Sequence, residues 1–153
     1  MHTDKKAGFV LSTEIDIQAP PAVVWHVLAD FGAYPEWNPF IHTLTGDVKP
    51  GHRIRVLLQP PGGKAMRFSP KVLSFDKNRE LSWLGSLWVR GLFDGEHRFR
   101  LTENPDGSTT LFHTEHFNGL LVPLLRKSLA TDTRAGFEAL NTALKERAEA
   151  RMR

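Results

Sequence analysis

The sequence of 153 residues contains no cysteine and only one tyrosine. The absence of cysteine excludes disulfide bonds, thiolate zinc sites and cysteine nucleophiles. No stretch approaches the roughly 20 apolar residues of a membrane span, and the N-terminal residues lack the apolar run of a signal peptide. We therefore expect a cytoplasmic protein without stable membrane insertion.

A strong charge imbalance is also lacking. The net charge is +3, and residues 1–120 contain 13 basic and 13 acidic residues, so the excess lies in residues 121–153. Nucleic-acid surfaces combine a basic stripe with interleaved aromatic residues. This C-terminal segment contains no aromatic residue besides Phe137, and we expect no nucleic-acid partner.

Aromatic residues without a hydroxyl group are, by contrast, abundant: the chain has ten phenylalanines and four tryptophans. Such rings suit a dry interior better than a polar binding face. The length and the absence of repeats or linkers indicate one domain over residues 9–149. It is expected to lie between a flexible segment at residues 1–8 and a tail at residues 150–153.

Hydrophobic periodicity predicts the elements of the N-terminal part. Apolar and polar residues alternate over residues 9–17, which is typical of a strand with one buried face. Two short helices follow, the first beginning at Pro21 and the second over residues 34–39. Six further strands, separated by turn signals, are expected between residues 40 and 118.

One of these strands is expected over residues 66–72, where Pro70 indicates a bulge or a sheet edge. After the last strand, Gly119 and Pro123 open a long segment with leucines at helical spacing. An antiparallel meander with one apolar face would fold over this helix. The predicted fold class is therefore α+β.

A hairpin at Asn104–Gly107 predicts how the last two strands pair. The expected opposite pairs are Leu101 with Thr109, Phe99 with Leu111, His97 with His113, Gly95 with Glu115, and Phe93 with Phe117. Odd-numbered residues then face the core, while the even-numbered residues of the first strand are mostly charged. A slip by one residue would bury those charges.

Three polar residues, His97, His113 and Glu115, lie on this inward face. They could form an internal hydrogen-bond network, orient a ligand at the polar end of a pocket, or act as general acids and bases. These two histidines and the carboxylate could also bind a metal. A metal site formed by His113, Glu115 and His116 is excluded, because on a strand His116 points to the other face. We predict no metal and no cofactor, and we keep the three residues as catalytic candidates.

Two other features favour either packing or a binding site. Gly136 lies on the sheet-facing side of the long helix, where it allows close helix–sheet packing or leaves space for a ligand. The apolar residues of the loop at 86–92 share one end of the meander with those at 120–122. They either cap the core or form a pocket mouth or a membrane-touching rim. The residues expected at the mouth are Leu87, Trp88, Val89 and Leu121.

Five segments of the chain resemble the START-like, or SRPBCC, domains that include bacterial proteins of the polyketide cyclase/dehydrase type. These segments are IDIQAPPAVVW at 15–25, LADF at 28–31, YPEWNPF at 34–40, HRF at 97–99 and HTEHFNG at 113–119. The resemblance covers about residues 9–149 and runs into the long C-terminal helix. Its first segment is fairly specific to the superfamily, and none is specific to one activity.

The resemblance implies a helix-grip fold, in which a curved seven-stranded antiparallel sheet wraps around the C-terminal helix. It also implies an elongated hydrophobic cavity between sheet and helix. Members bind lipids, sterols, isoprenoid quinones or polyketides, some catalyse aromatase/cyclase chemistry, and some act on partner proteins. The family has no universal catalytic motif, so no catalytic residue is transferred to this chain.

We therefore expect a protein that binds a hydrophobic small molecule, such as a lipid, an isoprenoid or a polyketide, in an internal cavity. The expected ligand-binding residues are Phe68, Trp83, Phe93, His97, Phe99, His113, Glu115, Phe117, Gly136 and Leu140. One alternative is a cofactor-free cyclase or dehydratase that uses His97, His113 or Glu115. Another is a protein-interaction module that acts through the apolar residues at 86–92 and 120–122.

Overall fold

The computed structural model describes residues 8–87 and 89–153 and places eight strands around one long helix. The expected flexible segment (except Gly8), Trp88 and the side chain of Leu87 lie outside the described residues. The strands are β1 (Phe9–Ile17), β2 (Ile41–Thr45), β3 (Arg55–Leu58), β4 (Met66–Phe68), β5 (Lys71–Asp76), β6 (Glu80–Leu87), β7 (Phe93–Glu103) and β8 (Thr109–Asn118). The helices are α1 (Pro21–Leu28), α2 (Tyr34–Trp37), α3 (Val122–Ser128) and α4 (Arg134–Ala150).

The two short helices expected after the first strand are both present. Pro21 occupies the first turn of α1, where its missing N–H costs nothing. A short 3₁₀ segment, Phe31–Ala33, leads from α1 into α2. The Tyr34 hydroxyl donates a hydrogen bond to the Leu28 carbonyl over 2.6 Å, which fixes α2 against the end of α1.

The strands form two antiparallel sheets rather than one. The first has five strands in the order β1-β8-β7-β6-β5, and the second has three in the order β2-β3-β4. The α+β class with a long C-terminal helix is confirmed, whereas the seven-stranded sheet is wrong.

The sheets separate at Pro70, in the segment for which a single strand over residues 66–72 is expected. Proline has no N–H to donate to a ladder, and Pro70 lies between β4 and β5. Backbone hydrogen bonds still tie the two sheets together, from Ile54 N–H to the Pro70 carbonyl at 3.0 Å and from Val72 N–H to the His52 carbonyl at 2.8 Å. The expectation of a bulge or edge at Pro70 agrees with this break.

The pairing of β7 with β8 differs from the expected register. Leu101 lies opposite Leu111, Phe99 opposite His113, His97 opposite Glu115, and Gly95 opposite Phe117. The expected partners of Leu101, Phe99, His97, Gly95 and Phe93 are therefore wrong. Because the partner changes by two residues, the odd-numbered residues still face the core.

The turn at the hairpin tip explains this register. Asn104 N–H donates to the Ser108 carbonyl over 2.8 Å, and Gly107 N–H donates to the Asn104 carbonyl over 2.9 Å. Gly107 has a φ of 87°, in the left-handed region that suits glycine. This is the geometry of a three-residue loop with a glycine bulge, and it pairs Glu103 with Thr109.

The long helix packs across the five-stranded sheet. α3 and α4 are continuous through a π-helical segment, Leu129–Thr133. Phe137, Leu140 and Leu144 on α4 are fully buried against the sheet, as the leucine spacing predicts. Within the described residues, no helix is both long and apolar enough to cross a membrane.

Candidate functional site

A chain of buried polar side chains runs from the sheet to the long helix. His97 and His113 are fully buried, and their Nε2 atoms lie 2.7 Å apart. His113 Nδ1 is 2.8 Å from Asn141 Oδ1 on α4, and Asn141 Nδ2 donates to Thr13 Oγ1 over 2.9 Å. At the other end of the chain, His97 Nδ1 lies 3.2 Å from Glu115 Oε1.

The donor and acceptor roles in this chain of polar side chains can be assigned by starting at Thr13. The Thr13 hydroxyl donates to the His113 carbonyl over 2.7 Å, so its oxygen accepts from the Asn141 amide nitrogen. Asn141 Oδ1 therefore accepts from His113 Nδ1–H. Neutral His113 then accepts at Nε2 from the Nε2–H of His97.

This sequence of donors leaves Nδ1 of a neutral His97 as an acceptor facing Glu115. Two acceptors at this distance repel each other unless one carries a proton. A protonated Glu115 carboxyl resolves the conflict by donating from Oε1 to His97 Nδ1. The geometry therefore favours a neutral chain that ends at a protonated carboxyl group.

Burial acts on the pKa values in the same direction. Desolvation raises the pKa of Glu115 to about 8 and lowers the pKa of His97 to about 3. The pKa of His113 is held well below its ordinary value, mainly by desolvation and then by the neighbouring His97. Near neutral pH these groups are therefore uncharged.

A cavity of about 80 Å³ lies next to Glu115, between β6, β7, β8 and the π-helical segment. Apolar side chains form most of its wall, namely those of Phe40, Leu58, Pro60, Met66, Phe68, Trp83, Phe93, Phe117 and Leu129. Glu115 is the one ionisable residue that the described part of the chain contributes to this wall. The cavity thus combines aromatic walls with a single acidic group.

The cavity is smaller than the elongated one that the resemblance implies. Small-molecule pockets typically have roughly 300–1,000 Å³. Beneath the helix the space is occupied by rings: Phe137 stacks on His113 with ring centroids 3.9 Å apart, and Phe40 lies 5.6 Å from Phe137. A Cβ on Gly136 would collide with the Phe40 ring. Gly136 therefore serves close packing at this point.

Five of the expected ligand-binding residues line the cavity, and five do not. Phe68, Trp83, Phe93, Glu115 and Phe117 lie in the wall. His97, Phe99, His113, Gly136 and Leu140 are fully buried behind it or under the helix. The sequence thus brings all ten to one side of the sheet, but the structure divides them between cavity and packed core.

Two residues of the polar chain, Asn141 and Thr13, were missed by the sequence reasoning. Asn141 follows Phe137 by four residues and therefore lies on the buried side of α4. Thr13 lies between Leu11 and Ile15 in the alternation of β1. A polar residue on an apolar face was the signal in both cases, as it was for the histidines.

Glycine makes room for the acidic group. A Cβ on Gly95 would collide with Glu115 Oε2, so this oxygen lies directly over the Gly95 backbone. Gly95 is diagonal to Glu115 in the ladder rather than opposite to it. The glycine therefore leaves space for Glu115, although the expected direct pairing of the two residues is wrong.

The histidine pair does not have the geometry of a metal site. The Nε2 atoms of His97 and His113 point at each other and cannot both direct lone pairs at a shared ion. Within residues 8–87 and 89–153, no three His, Cys, Asp or Glu side chains converge on a possible ion position.

A wider groove of about 860 Å³ lies on the outer face of the five-stranded sheet. Arg98 and Arg100 line it, but their side chains pair with acidic neighbours. Arg98 Nη2 is 2.8 Å from Glu96 Oε2, and Arg100 Nε is 3.8 Å from Glu80 Oε1. Because these charges are matched, the inner cavity is the better candidate site.

Of the residues expected at the pocket mouth, Val89 and Leu121 lie at the end of the sheet near the inner cavity without lining it, and Trp88 and the side chain of Leu87 lie outside the described residues. Leu120 N–H and Leu121 N–H donate to the carbonyls of Gly91 and Leu92 at 3.1 and 2.9 Å. The two apolar segments therefore meet, as the meander predicts. Val122 is fully buried, which agrees with the alternative that these segments cap the core.

Comparison with solved structures identifies the fold. The Zhui aromatase/cyclase from Streptomyces sp. R1128 matches with a TM-score of 0.77 at 18% identity, over 95% of this chain and 96% of that protein. A START superfamily protein from Mycobacterium smegmatis matches with a TM-score of 0.70 at 24% identity, over 92% and 97%. A protein from Thermus thermophilus matches with a TM-score of 0.73 at 20% identity, over 95% and 100%. At these identities the likeness shows the fold alone.

Sequence comparison identifies the family. No protein with a curated function matches the chain. The model of the family described as polyketide cyclase/dehydrase and lipid transport matches residues 9–149. The chain therefore belongs to the polyketide cyclase/dehydrase and lipid transport family of START-like proteins.

Proposed function

We propose that this protein binds a hydrophobic small molecule whose apolar end enters the cavity and whose hydroxyl group donates a hydrogen bond to Glu115. The observation that carries the proposal is the aromatic cavity with one acidic group, which is held from behind by a buried polar chain. Mostly apolar walls with a few placed polar atoms are the usual design of small-ligand sites.

The size of the cavity limits what enters it. Its volume of about 80 Å³ is about half the roughly 150 Å³ of an engineered apolar cavity that takes up benzene. A branched chain end or part of one ring fits, and the rest of the ligand lies along the mouth. Met66 and Phe93 are partly exposed there, so a change of rotamer would admit a larger group.

The hydrogen bond between ligand and Glu115 follows from the protonation state of the Glu115 carboxyl group. If Oε1 of Glu115 donates to His97, its Oε2 is a carbonyl-type acceptor at the cavity wall. A hydroxyl group on the ligand satisfies this acceptor, whereas an ether or an ester of the same ligand does not. The preferred ligands are therefore phenols and alcohols with an apolar body.

The remaining predicted residues have two roles in this proposal. Phe68, Trp83, Phe93 and Phe117 touch the ligand together with Glu115. His97 and His113 are positioning residues, because they hold the Glu115 carboxyl without reaching the cavity. Phe99, Gly136 and Leu140 support the wall from the core.

A matched pair of fluorescent ligands tests the proposal. We expect 2-naphthol to bind more tightly than 2-methoxynaphthalene by about fivefold or more, since only the former donates a hydrogen bond. Fluorescence titration measures both affinities. The Glu115→Gln variant should keep the preference, because its amide donates to His97 and still offers an oxygen to the ligand. The Glu115→Leu variant should lose it.

A cavity-filling substitution provides the second arm of this test. Gly85 lines the cavity, and the Gly85→Val variant should weaken 2-naphthol binding about tenfold by occupying the space. Gly32→Val is the matched control, since a Cβ at Gly32 meets nothing within 4 Å. Equal binding by both variants, or no binding to the unmodified protein, would contradict the proposal.

The position of Glu115 also supports a second candidate function, that of a cofactor-free cyclase or dehydratase. Glu115 lies in the wall of the cavity, and burial raises its pKa to about 8. A carboxyl group with such a pKa is suited to take up and release protons near neutral pH. His97 is the adjacent group that would hold the carboxyl in position while Glu115 carries its proton.

Proton exchange at carbon tests this second function. A protein that removes protons next to a carbonyl group should accelerate deuterium uptake by 2-tetralone, measured by proton NMR. The rate should rise as the pH passes about 8, because the base is then ionised. Glu115→Gln should abolish exchange while 2-naphthol still binds. Exchange at the buffer rate in the unmodified protein would exclude this function for 2-tetralone-like ketones.

A further inference from the structure

Three aliphatic side chains project into solvent beside the mouth of the cavity. Val89, Leu120 and Leu124 are 63%, 75% and 80% exposed, which are the highest values among the large hydrophobic residues that the structure describes. We refer to these three residues as the apolar rim. Single exposed leucines are common, but a cluster of them marks a contact surface.

The backbone holds the apolar rim together. Leu120 N–H donates to the Gly91 carbonyl over 3.1 Å, next to Val89 in the loop between β6 and β7. Leu124 N–H donates to the Leu121 carbonyl over 3.1 Å in the first turn of α3. Leu120 lies in the turn before α3, where Val122 N–H donates to the Gly119 carbonyl over 3.2 Å, and Leu124 follows in the first turn of the helix.

The charges around the apolar rim are mostly positive, although the Asp94 carboxylate accepts a hydrogen bond from Gly91 N–H in the same loop over 3.1 Å. Arg90, Arg126 and Lys127 are exposed beside it, and the segments 86–93 and 119–131 contain no acidic residue. On the other side of the mouth, the loop between β3 and β4 carries the exposed Lys64. Aliphatic side chains flanked by cations are typical of surfaces that bind the interface of an anionic membrane.

We propose that the apolar rim docks onto a bilayer that contains anionic phospholipids, so that the mouth of the cavity faces the membrane surface. Leu120 and Leu124 would enter the boundary between headgroups and acyl chains, while Arg90 and Lys127 contact lipid phosphates. The contact is peripheral and involves no spanning segment. It needs no ligand in the cavity, so it stands or fails separately from the proposed function.

Vesicle co-sedimentation tests this proposal with the full chain. The protein should bind vesicles of phosphatidylcholine with phosphatidylglycerol more tightly than vesicles of phosphatidylcholine alone, and the difference should shrink at high salt. Leu124→Asp should weaken binding about tenfold or more, because an inserted leucine is replaced by a charge. Lys127→Glu should weaken binding to the anionic vesicles about fivefold or more.

Matched controls lie at the other ends of the same elements. Met152→Asp changes an exposed apolar residue about 42 Å further along the helical segment, and Lys77→Glu changes an exposed cation in the turn between β5 and β6. Both should leave vesicle binding unchanged. The proposal is overturned if neither type of vesicle binds, or if both types bind equally. It is also overturned if light scattering shows a dimer that Leu124→Asp dissociates while vesicles remain unbound.

Discussion

The inner face of β7 and β8 has two halves with opposite properties. Towards the hairpin, His97 and His113 are fully buried, and their ring nitrogens have partners. Towards the apolar rim, Phe93 and Phe117 stack with centroids 5.5 Å apart and line a cavity. Glu115 lies at the border of the two halves.

The residue that the long helix places opposite each half accounts for this difference. Asn141 reaches His113 and completes the polar chain, so no space remains for a ligand there. Leu129 and Thr133, from the π-helical segment, face the other half and leave part of it unfilled. π-Helical segments occur frequently at functional sites. The interior is fully packed where Asn141 completes the polar network. A cavity remains where the side chains of the π-helical segment do not fill the space.

The largest effect is expected from breaking the polar chain at its helical end. Asn141→Leu has a similar size but leaves the Nδ1–H of His113 and the Thr13 oxygen without their partner. The free energy of unfolding should fall by about 3 kcal/mol, because buried unsatisfied groups cost roughly 1–3 kcal/mol each. Urea denaturation measures this change.

Asn118→Leu is the matched control for this substitution. Asn118 is exposed at the end of β8, and its replacement should change the stability by no more than about 0.5 kcal/mol. Equal stability of Asn141→Leu and the unmodified protein would mean that Asn141 does not hold the histidine half together.

An intermediate effect is expected from pH, because Glu115 and the histidines titrate in opposite directions. Below the ordinary histidine pKa of 6.5, the unfolded chain binds protons that folded His97 and His113 do not, so stability falls in acid. Between pH 4.5 and about 8, folded Glu115 holds a proton that the unfolded chain has lost. This contribution falls as the pH rises.

The two histidines outweigh Glu115 below pH 6.5, and Glu115 acts alone above it. Stability should therefore be greatest near pH 6.5 and fall by about 2 kcal/mol towards pH 8. Thermal and urea unfolding across this range measure the profile. Glu115→Gln should remove the decline above pH 6.5, whereas the exposed Glu138→Gln should retain it. A decline that persists in Glu115→Gln would assign it to another group.

The smallest effect is expected where the packed half meets the cavity. In Gly136→Ala the new Cβ pushes against the Phe40 ring. Overpacking typically costs roughly 1–3 kcal/mol, and replacing a helical glycine by alanine returns about 1 kcal/mol. The net loss of stability should be about 1 kcal/mol by urea denaturation. Because Phe40 also lines the cavity, 2-naphthol affinity should decrease as well.

Gly32→Ala serves as the control for this last substitution. A Cβ at Gly32 meets no atom within 4 Å, so neither stability nor 2-naphthol binding should fall. A Gly136→Ala variant that is more stable than the unmodified protein would show that Phe40 moves away without cost.

Much of the fold could be predicted from local patterns. The alternation in β1 and the leucine spacing of the long helix depend on neighbours in sequence, and the structure agrees with both. The register of β7 and β8 was not predictable to the residue, because shifting the partner by two residues keeps the same faces inward. The geometry of the Asn104–Gly107 turn, with Gly107 at positive φ, made that choice.

Less of the site could be predicted. Polar residues on an apolar face identified His97, His113 and Glu115 as a group. The same signal was overlooked at Asn141 and Thr13, which are 128 residues apart and meet only in the folded chain. The sequence allowed two interpretations of Gly136, close packing or space for a ligand. The space beside it is occupied by the ring of Phe40, which is almost a hundred residues away in sequence.

The sequence by itself determined the α+β class, the two short helices after the first strand, the long helix and the side of the sheet on which the residues of β1, β7 and β8 lie. Periodicity encodes these properties, because the side-chain direction repeats every 2 residues in a strand and every 3.6 in a helix. Tertiary structure alone decided that Pro70 separates two sheets, which partner each ring nitrogen meets, and that the ring-rich interior leaves only a small cavity beside Glu115. Those outcomes depend on close packing and on hydrogen bonds between segments that are distant in sequence.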